Sequence, residues 1–200
     1  MLMNVMMTNR ERLLLAAREV FLEQGYDASV DAIIGRAEVA RQTFYNHFKS
    51  KESLFAEAIR ACFIEIIAPL NDCPDDLCGS LKNFAATYRQ RALSPEGIAS
   101  YRILSSQALR FPEMVREVYT LGAGQMIERL ADFLRKAMEH GQIRHADPIF
   151  AAELLMALVL GQERSQCLFG VQRPQEDEAL KVSNVVDGFL RMFAPEQASN

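Results

Sequence analysis

Between Ser29 and Glu52 the chain carries two short apolar periodicities separated by a three-residue break, and that spacing leaves few folds open. Ile33, Ile34 and Ala37 recur on one helical face, Glu38-Val39-Ala40 interrupts them, and Phe44 and Phe48 resume the pattern one turn apart. Two helices in so short a span pack as a corner, with Val39 as the apolar plug between them. Ser29 stands where it can cap the first helix, and Asp31 puts negative charge in the first turn, where the helix dipole favours it. The second helix is predicted over about Ala40 to His47. Gln42, Tyr45, Asn46 and, past its end, Lys49 share the face turned from the core, with Arg41, Thr43 and His47 at its edges. Every one of these side chains can bond a phosphate or a base edge. Ser50 is placed to cap a third helix opening at Lys51-Glu52, and free amides in its first turn would suit an anion such as a DNA phosphate.

The order Phe44-Tyr45-Asn46-His47-Phe48-Lys49-Ser50-Lys51-Glu52, following the Ala37-Glu38-Val39 turn, closely resembles the DNA-binding domain of the tetracycline-repressor (TetR) family. The likeness runs from Asn9 to about Ala58. It implies a double-stranded DNA operator as partner, with Tyr45, His47 and Lys51 on phosphates and Arg41, Gln42 and Thr43 reading bases. Ser29, Asn46 and Lys49 complete the expected contact set, and Arg10 or Arg12 can add backbone contacts. Gln42 stands where the family frequently has Gly. Two further positions depart from the pattern: Glu38 replaces the usual turn Gly, and Ala40 replaces the usual Ser or Thr cap. A lost cap costs on the order of 1 kcal/mol, which flanking packing can absorb. Glu38 is expected to exclude the positive backbone angle of a glycine and so to shift the turn.

Outside this stretch the periodicity is helical throughout, which predicts an all-α protein of about nine helices. Thr8-Asn9-Arg10-Glu11 reads as a capping box opening a helix that Gly25 stops. Leu54, Phe55, Ala58, Ile59, Cys62, Phe63 and Ile66 keep one phase to Pro69, so the third helix of the head continues into the rest of the chain. The division expected is a DNA-binding domain over 1–55 and an effector-binding and dimerisation domain over 56–200, sharing that helix. Further helices are expected over about 75–93, from Ser94-Pro95-Glu96 to Arg110, from Pro112 to His140 with a bend at Gly122 and Gly124, from Pro148 to Phe169, and over 175–193. The turn Arg110-Phe111-Pro112-Glu113 with Tyr119 after it resembles the ligand domain of the AefR-like subgroup of the same family.

The stretch Ile149 to Leu160 is apolar almost all round, and a surface helix of that kind needs a second surface to cover it. Together with the last helix it is expected to form a four-helix homodimer interface, with Leu155, Val159, Val185, Val186 and Phe189 in contact. One recognition helix alone would also read too short a site. A switchable regulator needs an effector pocket, for which the candidates are Phe63, Phe84, Tyr88, Tyr101, Gln107, Phe111, Met114, Tyr119 and Met126. Arg91 and Arg102 are possible polar anchors, and the effector expected is small and apolar or aromatic. The function expected is a ligand-responsive dimeric repressor of a palindromic operator; the alternative is a DNA-binding regulator without a small-molecule inducer, partnered by a protein or acting as an activator.

The formal charge of −4 on 200 residues does not count against DNA binding, because the local field decides phosphate contact. The four cysteines, Cys62, Cys73, Cys78 and Cys167, show no paired metal spacing, and no metal or cofactor is expected. Cys62 and Cys167 are expected to be buried. His140 and His145 near Gly141 are the best footing for an enzyme, but no nucleophile or phosphate loop accompanies them, and His is a common helix terminator. No signal peptide or membrane span is expected, which places the chain in the cytoplasm.

Overall fold

The computed structural model describes residues 7–70, 76–171 and 177–195, the side chains of 59–65 excepted. Among these residues there is no strand. The helices are α1 (Asn9–Gln24), α2 (Val30–Ala37), α3 (Arg41–His47), α4 (Lys51–Ile67), α5 (Leu77–Ala92), α6 (Pro95–Gln107), α7 (Pro112–Tyr119), α8 (Gln125–Glu139), α9 (Pro148–Leu160), α10 (Glu163–Leu168) and α11 (Glu178–Met192). Two of the nine expected helices are each divided. A π-helical segment, Thr120–Gly124, separates α7 from α8 at the two glycines where a bend is expected. Gly161, with a φ of 49°, separates α9 from α10.

The chain resolves into two compact units, Met1–Cys62 with Ala99–Leu121, and Phe63–Ile98 with Gly122–Asn200. α4 runs unbroken past the point where the first gives way to the second. This packing division differs from a cut at residue 55, because α6 and α7 cluster with the head although they lie far along the chain.

In the first unit the ends of the helices follow their local chemistry. Thr8 and Glu11 form the expected capping box at α1. Gly25 closes that helix with φ 75° and ψ −173°, a region open to glycine and outside the left-handed α basin. The Ser29 hydroxyl accepts from the Ala32 amide at 3.1 Å and opens α2. Ala40 provides no side-chain cap to α3, as its methyl group dictates. Leu13, Ala17 and Phe21 of α1, Ile33 of α2, Phe44 of α3, and Leu54 and Phe55 of α4 form the core. Phe55 meets Phe21 edge-on at 4.9 Å and Tyr26 at 5.1 Å. Met114 and Val118 of α7 complete the same cluster.

The second unit packs α9 against α8, α5 and α11. Phe84, Leu130, Leu134, Leu155, Val159, Val186 and Phe189 fill its centre. Leu155, Val159, Val186 and Phe189 are therefore core of the single chain and not the interface expected of them, while Val185 is half-buried against the same core. Sequence cannot phase α9: with apolar residues on every side, no stripe announces which side faces inward. Its exposed apolar residues are instead Ile149, Phe150 and Leu158, and α11 exposes Leu180 and Met192. Beside this core Arg89 of α5, only 3 % exposed, donates to Glu178 (2.9 Å), Glu163 (2.7 Å) and the Val159 carbonyl (2.6 Å). Burial alone would lower its pKa, but the two carboxylates more than offset that and raise it.

Candidate nucleic-acid interface

α3 is seven residues long, and with its side chains a helix is about 10–12 Å across, which a DNA major groove admits. Its core side is Phe44, fully buried, with Phe48 just beyond. The other side is open: Arg41, Gln42, Tyr45, Asn46, His47 and Lys49 are all exposed and Thr43 is half-buried. Within it Gln42 donates to Asn46 at 3.1 Å, one turn along. Arg41 donates to Asp31 of α2 at 2.8 Å. The hydroxyl of Tyr45, then Asp31, hold the Arg41 pKa above its ordinary value.

The turn before α3 departs from expectation. Glu38 takes φ 52° and ψ 47°, the left-handed conformation a glycine would adopt there. Its amide bonds back to Ile34 and Gly35, and Arg12 of α1 donates to both its carbonyl (3.2 Å) and its carboxylate (3.1 Å). The fold thus imposes the usual turn on a residue that disfavours it by about 1–2 kcal/mol, and Arg12 supports it from outside. Arg12 and Arg10, expected near the DNA backbone, are both engaged within the head, Arg10 with Glu57.

The opening of α4 is also more occupied than the sequence suggests. Ser50 and Ser53 cap each other reciprocally, each amide donating to the other's hydroxyl at 3.2 Å. The Glu52 carboxylate accepts from its own amide, from Ser50 and from Tyr26, and sits below its ordinary pKa for those reasons. The amides of Glu52 and Ser53 are therefore not the free donors expected for a phosphate. Lys51 donates to the carbonyls of Tyr26 (2.8 Å) and Ala28 (3.3 Å) and lies 4.4 Å from the Tyr26 ring. Its ammonium has three protons, so one remains for a phosphate. Burial, then the charge of Glu52, pushes the Tyr26 hydroxyl well up.

The α6–α7 turn reaches the same loop. Phe111 packs on Tyr26 at 5.2 Å and Arg110 donates to Asp27 at 3.2 Å. Of the expected effector residues, Phe111 and Met114 thus belong to the head's packing, while Tyr101 and Tyr119 are exposed. Gln107, in the same unit, has a buried side-chain oxygen without a hydrogen-bond donor. Phe84, Tyr88 and Met126 lie in the core of the second unit, with Phe84 and Tyr88 stacked at 5.9 Å. The side chain of Phe63 lies outside the described residues, and Arg91 and Arg102 are exposed. A groove of about 710 Å³ between α5 and α11 is lined by Lys82, Gln90, Leu93 and Ser183 over Arg89 and Val182, and none of the expected effector residues lines it.

Cys78 and Cys167 are half-buried thiols, so Cys167 is less buried than expected, and Cys62 and Cys73 fall outside the described side chains. Among the described residues no cluster could hold a metal ion. The His140 ring bonds the Lys136 carbonyl at 2.6 Å, as a helix terminator does. No described helix is long and apolar enough to cross a membrane.

A short polar helix, held outward by a braced corner and backed by a helix opening beside it, defines a helix-turn-helix DNA-binding protein. Comparison with known proteins agrees. Residues 13–58 match the family described as bacterial regulatory proteins, tetR family, and residues 79–195 match the AefR-like transcriptional repressor C-terminal domain. The HTH-type transcriptional regulator YdgC of Bacillus subtilis is 44% identical over 91% of this chain and 93% of its own length. The crystal structure of a TetR-family transcriptional regulator from Mesorhizobium loti superposes with a TM-score of 0.80 at 23% identity, covering 93% of this chain and 96% of that one. The flavonoid-responsive regulator FrrA has a TM-score of 0.75 at 30% identity, covering 94% of this chain and 98% of its own. The chain belongs to the TetR family of transcriptional regulators, with an AefR-like C-terminal domain.

Proposed function

We propose that this protein is a cytoplasmic, homodimeric repressor that binds a palindromic operator and is released by a small apolar or aromatic effector. The observation that carries the reading is the open polar face of α3 and the turn after it, from Arg41 to Lys49, on a head whose core holds it there. Arg41, Gln42 and Thr43 read bases; Tyr45, His47 and Lys51 fix the phosphates, with Ser29, Asn46 and Lys49 beside them.

Dimerisation is supported by the apolar side chains that α9 and α11 leave in solvent, Phe150 (56 % exposed) and Leu180 (58 % exposed) chief among them. Two heads about one DNA turn apart, ~34 Å, meet successive major grooves of a palindrome. An aromatic effector is supported by the likeness to FrrA, which is described as flavonoid-responsive. To switch the protein, the effector must favour the released state by a few kcal/mol over the bound one.

The test has two parts. DNA fragments retained by the protein from genomic DNA supply the operator, and aromatic candidates including flavonoids are then titrated against the labelled fragment. Release by one of them, from a complex of two chains per site by sedimentation, is the expected result. A monomer on DNA, or a complex that every candidate leaves intact, overturns the dimeric or the inducible part respectively.

A further inference from the structure

The contact between Asp31 and Arg41 lies at the candidate interface but belongs to neither of the tasks proposed for it. Asp31 sits in the first turn of α2, two residues past the Ser29 cap, and its carboxylate is largely in solvent. In a helix-turn-helix docking the first helix of the pair crosses the DNA backbone, so a carboxylate at this place faces phosphates and opposes binding to any duplex. An exposed ion pair contributes little to folding, so stability does not account for it. What the carboxylate does control is direction. Its Oδ1 accepts from Arg41 Nη1 at 2.8 Å, across from α2 to the first residue of α3. Arg41 has five donors in a rigid fork, and its bonds to Asp31 and to the Tyr45 hydroxyl leave enough for the two-point contact with guanine O6 and N7. Without Asp31 only the Tyr45 hydroxyl, itself assigned to a phosphate, holds the guanidinium, and a long side chain at the start of a helix beside the DNA backbone then turns as readily to a phosphate.

We propose that Asp31 is a positioning residue that determines specificity: it holds the Arg41 guanidinium toward the base edges and makes phosphate contact at that spot unfavourable. The proposal rests on Arg41 as a base reader, and the test separates the two. Duplexes selected by the wild-type protein from a pool with a randomised centre are compared with scrambled duplexes, for the wild type, Asp31→Asn, Asp31→Glu, Arg41→Ala and the double variant Asp31→Asn with Arg41→Ala.

Asp31→Asn is expected to tighten binding to scrambled DNA and to lower the selected-to-scrambled ratio by about tenfold, the scale of one misdirected base contact. The slope of log affinity against log salt steepens by about one, as one phosphate contact is gained. Asp31→Glu recovers most of the ratio. In the Arg41→Ala background the Asp31→Asn change leaves the ratio where Arg41→Ala put it. Melting temperatures stay together across the set, which separates direction from folding. Equal tightening on selected and scrambled duplexes would reduce Asp31 to a bare charge and overturn the proposal, as would the same loss of ratio with Arg41 absent. An Arg41→Ala protein that keeps the full wild-type preference overturns the base-reading role and this inference with it.

Discussion

Two arginines, one in each unit, each bridge a pair of carboxylates, and their surroundings give them different work. Arg36 of α2 holds Glu19 (3.2 Å) and Glu23 (2.7 Å) of α1 on the surface of the head. Arg89 of α5, itself buried, holds Glu163 (2.7 Å) and Glu178 (2.9 Å) at the base of the groove between α5 and α11. Contact lengths are alike; solvent access is not. Water screens the first group, while the second guanidinium has exchanged hydration for three protein acceptors, of which the Val159 carbonyl is buried and Glu163 is shared with Lys181 at 2.6 Å. Arg36 therefore ties α1 to α2 in solvent, while Arg89 ties α5, α10 and α11 together out of it.

The strongest way to break this contrast is Arg89→Met. It should lower the free energy of unfolding in urea by about 2–3 kcal/mol, because the buried Val159 carbonyl loses its side-chain donor and Glu163, 13 % exposed, keeps only Lys181 of its two cations. Arg36→Ala, removing the same number of carboxylate contacts, should leave the urea midpoint essentially unmoved; equal losses from the two variants would erase the distinction. Next in size is Lys51→Ala. Two carbonyls and the Tyr26 ring lose their cation, so the head should lose about 1–2 kcal/mol of stability while binding to operator and random duplexes weakens alike. Selective loss on the operator alone would show Lys51 reading sequence.

Glu38→Gly runs the other way. Removing a side chain from a left-handed position should stabilise the head by about 1 kcal/mol, seen as a rise in melting temperature. A fall would mean that the Arg12 contact outweighs the strain. Smallest is the effect of Glu11, whose pKa is lowered by the Thr8 amide and then the Thr8 hydroxyl. A lowered carboxylate contributes stability that is present above its ordinary value of 4.5 and is lost as pH falls through the folded value. Glu11→Gln keeps an acceptor for the capping box, so it should flatten the acid side of the stability profile and leave neutral pH nearly unchanged. Identical acid limbs for the two proteins would remove Glu11 from the account.

The same contrast explains what could be read from the residues alone. Caps and stops at Thr8, Gly25, Ser29, Ser94 and Asp147 are local chemistry, and the helices begin or end beside them. The recognition face was legible because Phe44 and Phe48 mark its inner side. Side chains whose meaning depends on distant partners were not. Met114 is apolar at helical spacing whether it lines a pocket or, as here, joins the core of the head. Leu155 and Phe189 would look the same at a dimer surface as they do in the protomer's core, because α9 offers no polar side to orient it. Arg89 did leave a trace: the buried stripe Leu81, Phe84, Ala85 and Tyr88 runs directly into it, and a cation on such a stripe requires acceptors from elsewhere. Glu38 misled for the opposite reason, since its own preference was outweighed by backbone bonds to Ile34 and Gly35 and by a guanidinium from another helix.

The π-helical segment at Thr120–Gly124 has a consequence for how this sequence can vary. Met114 and Val118 of α7 belong to the core of the first unit, and Met126, Leu130, Leu134 and Ala137 of α8 to the core of the second. The wide turn falls where the chain passes from one to the other. Val118 and Met126, eight positions apart, therefore answer to different neighbours, and a truncation at either would be felt in one core and spare the other.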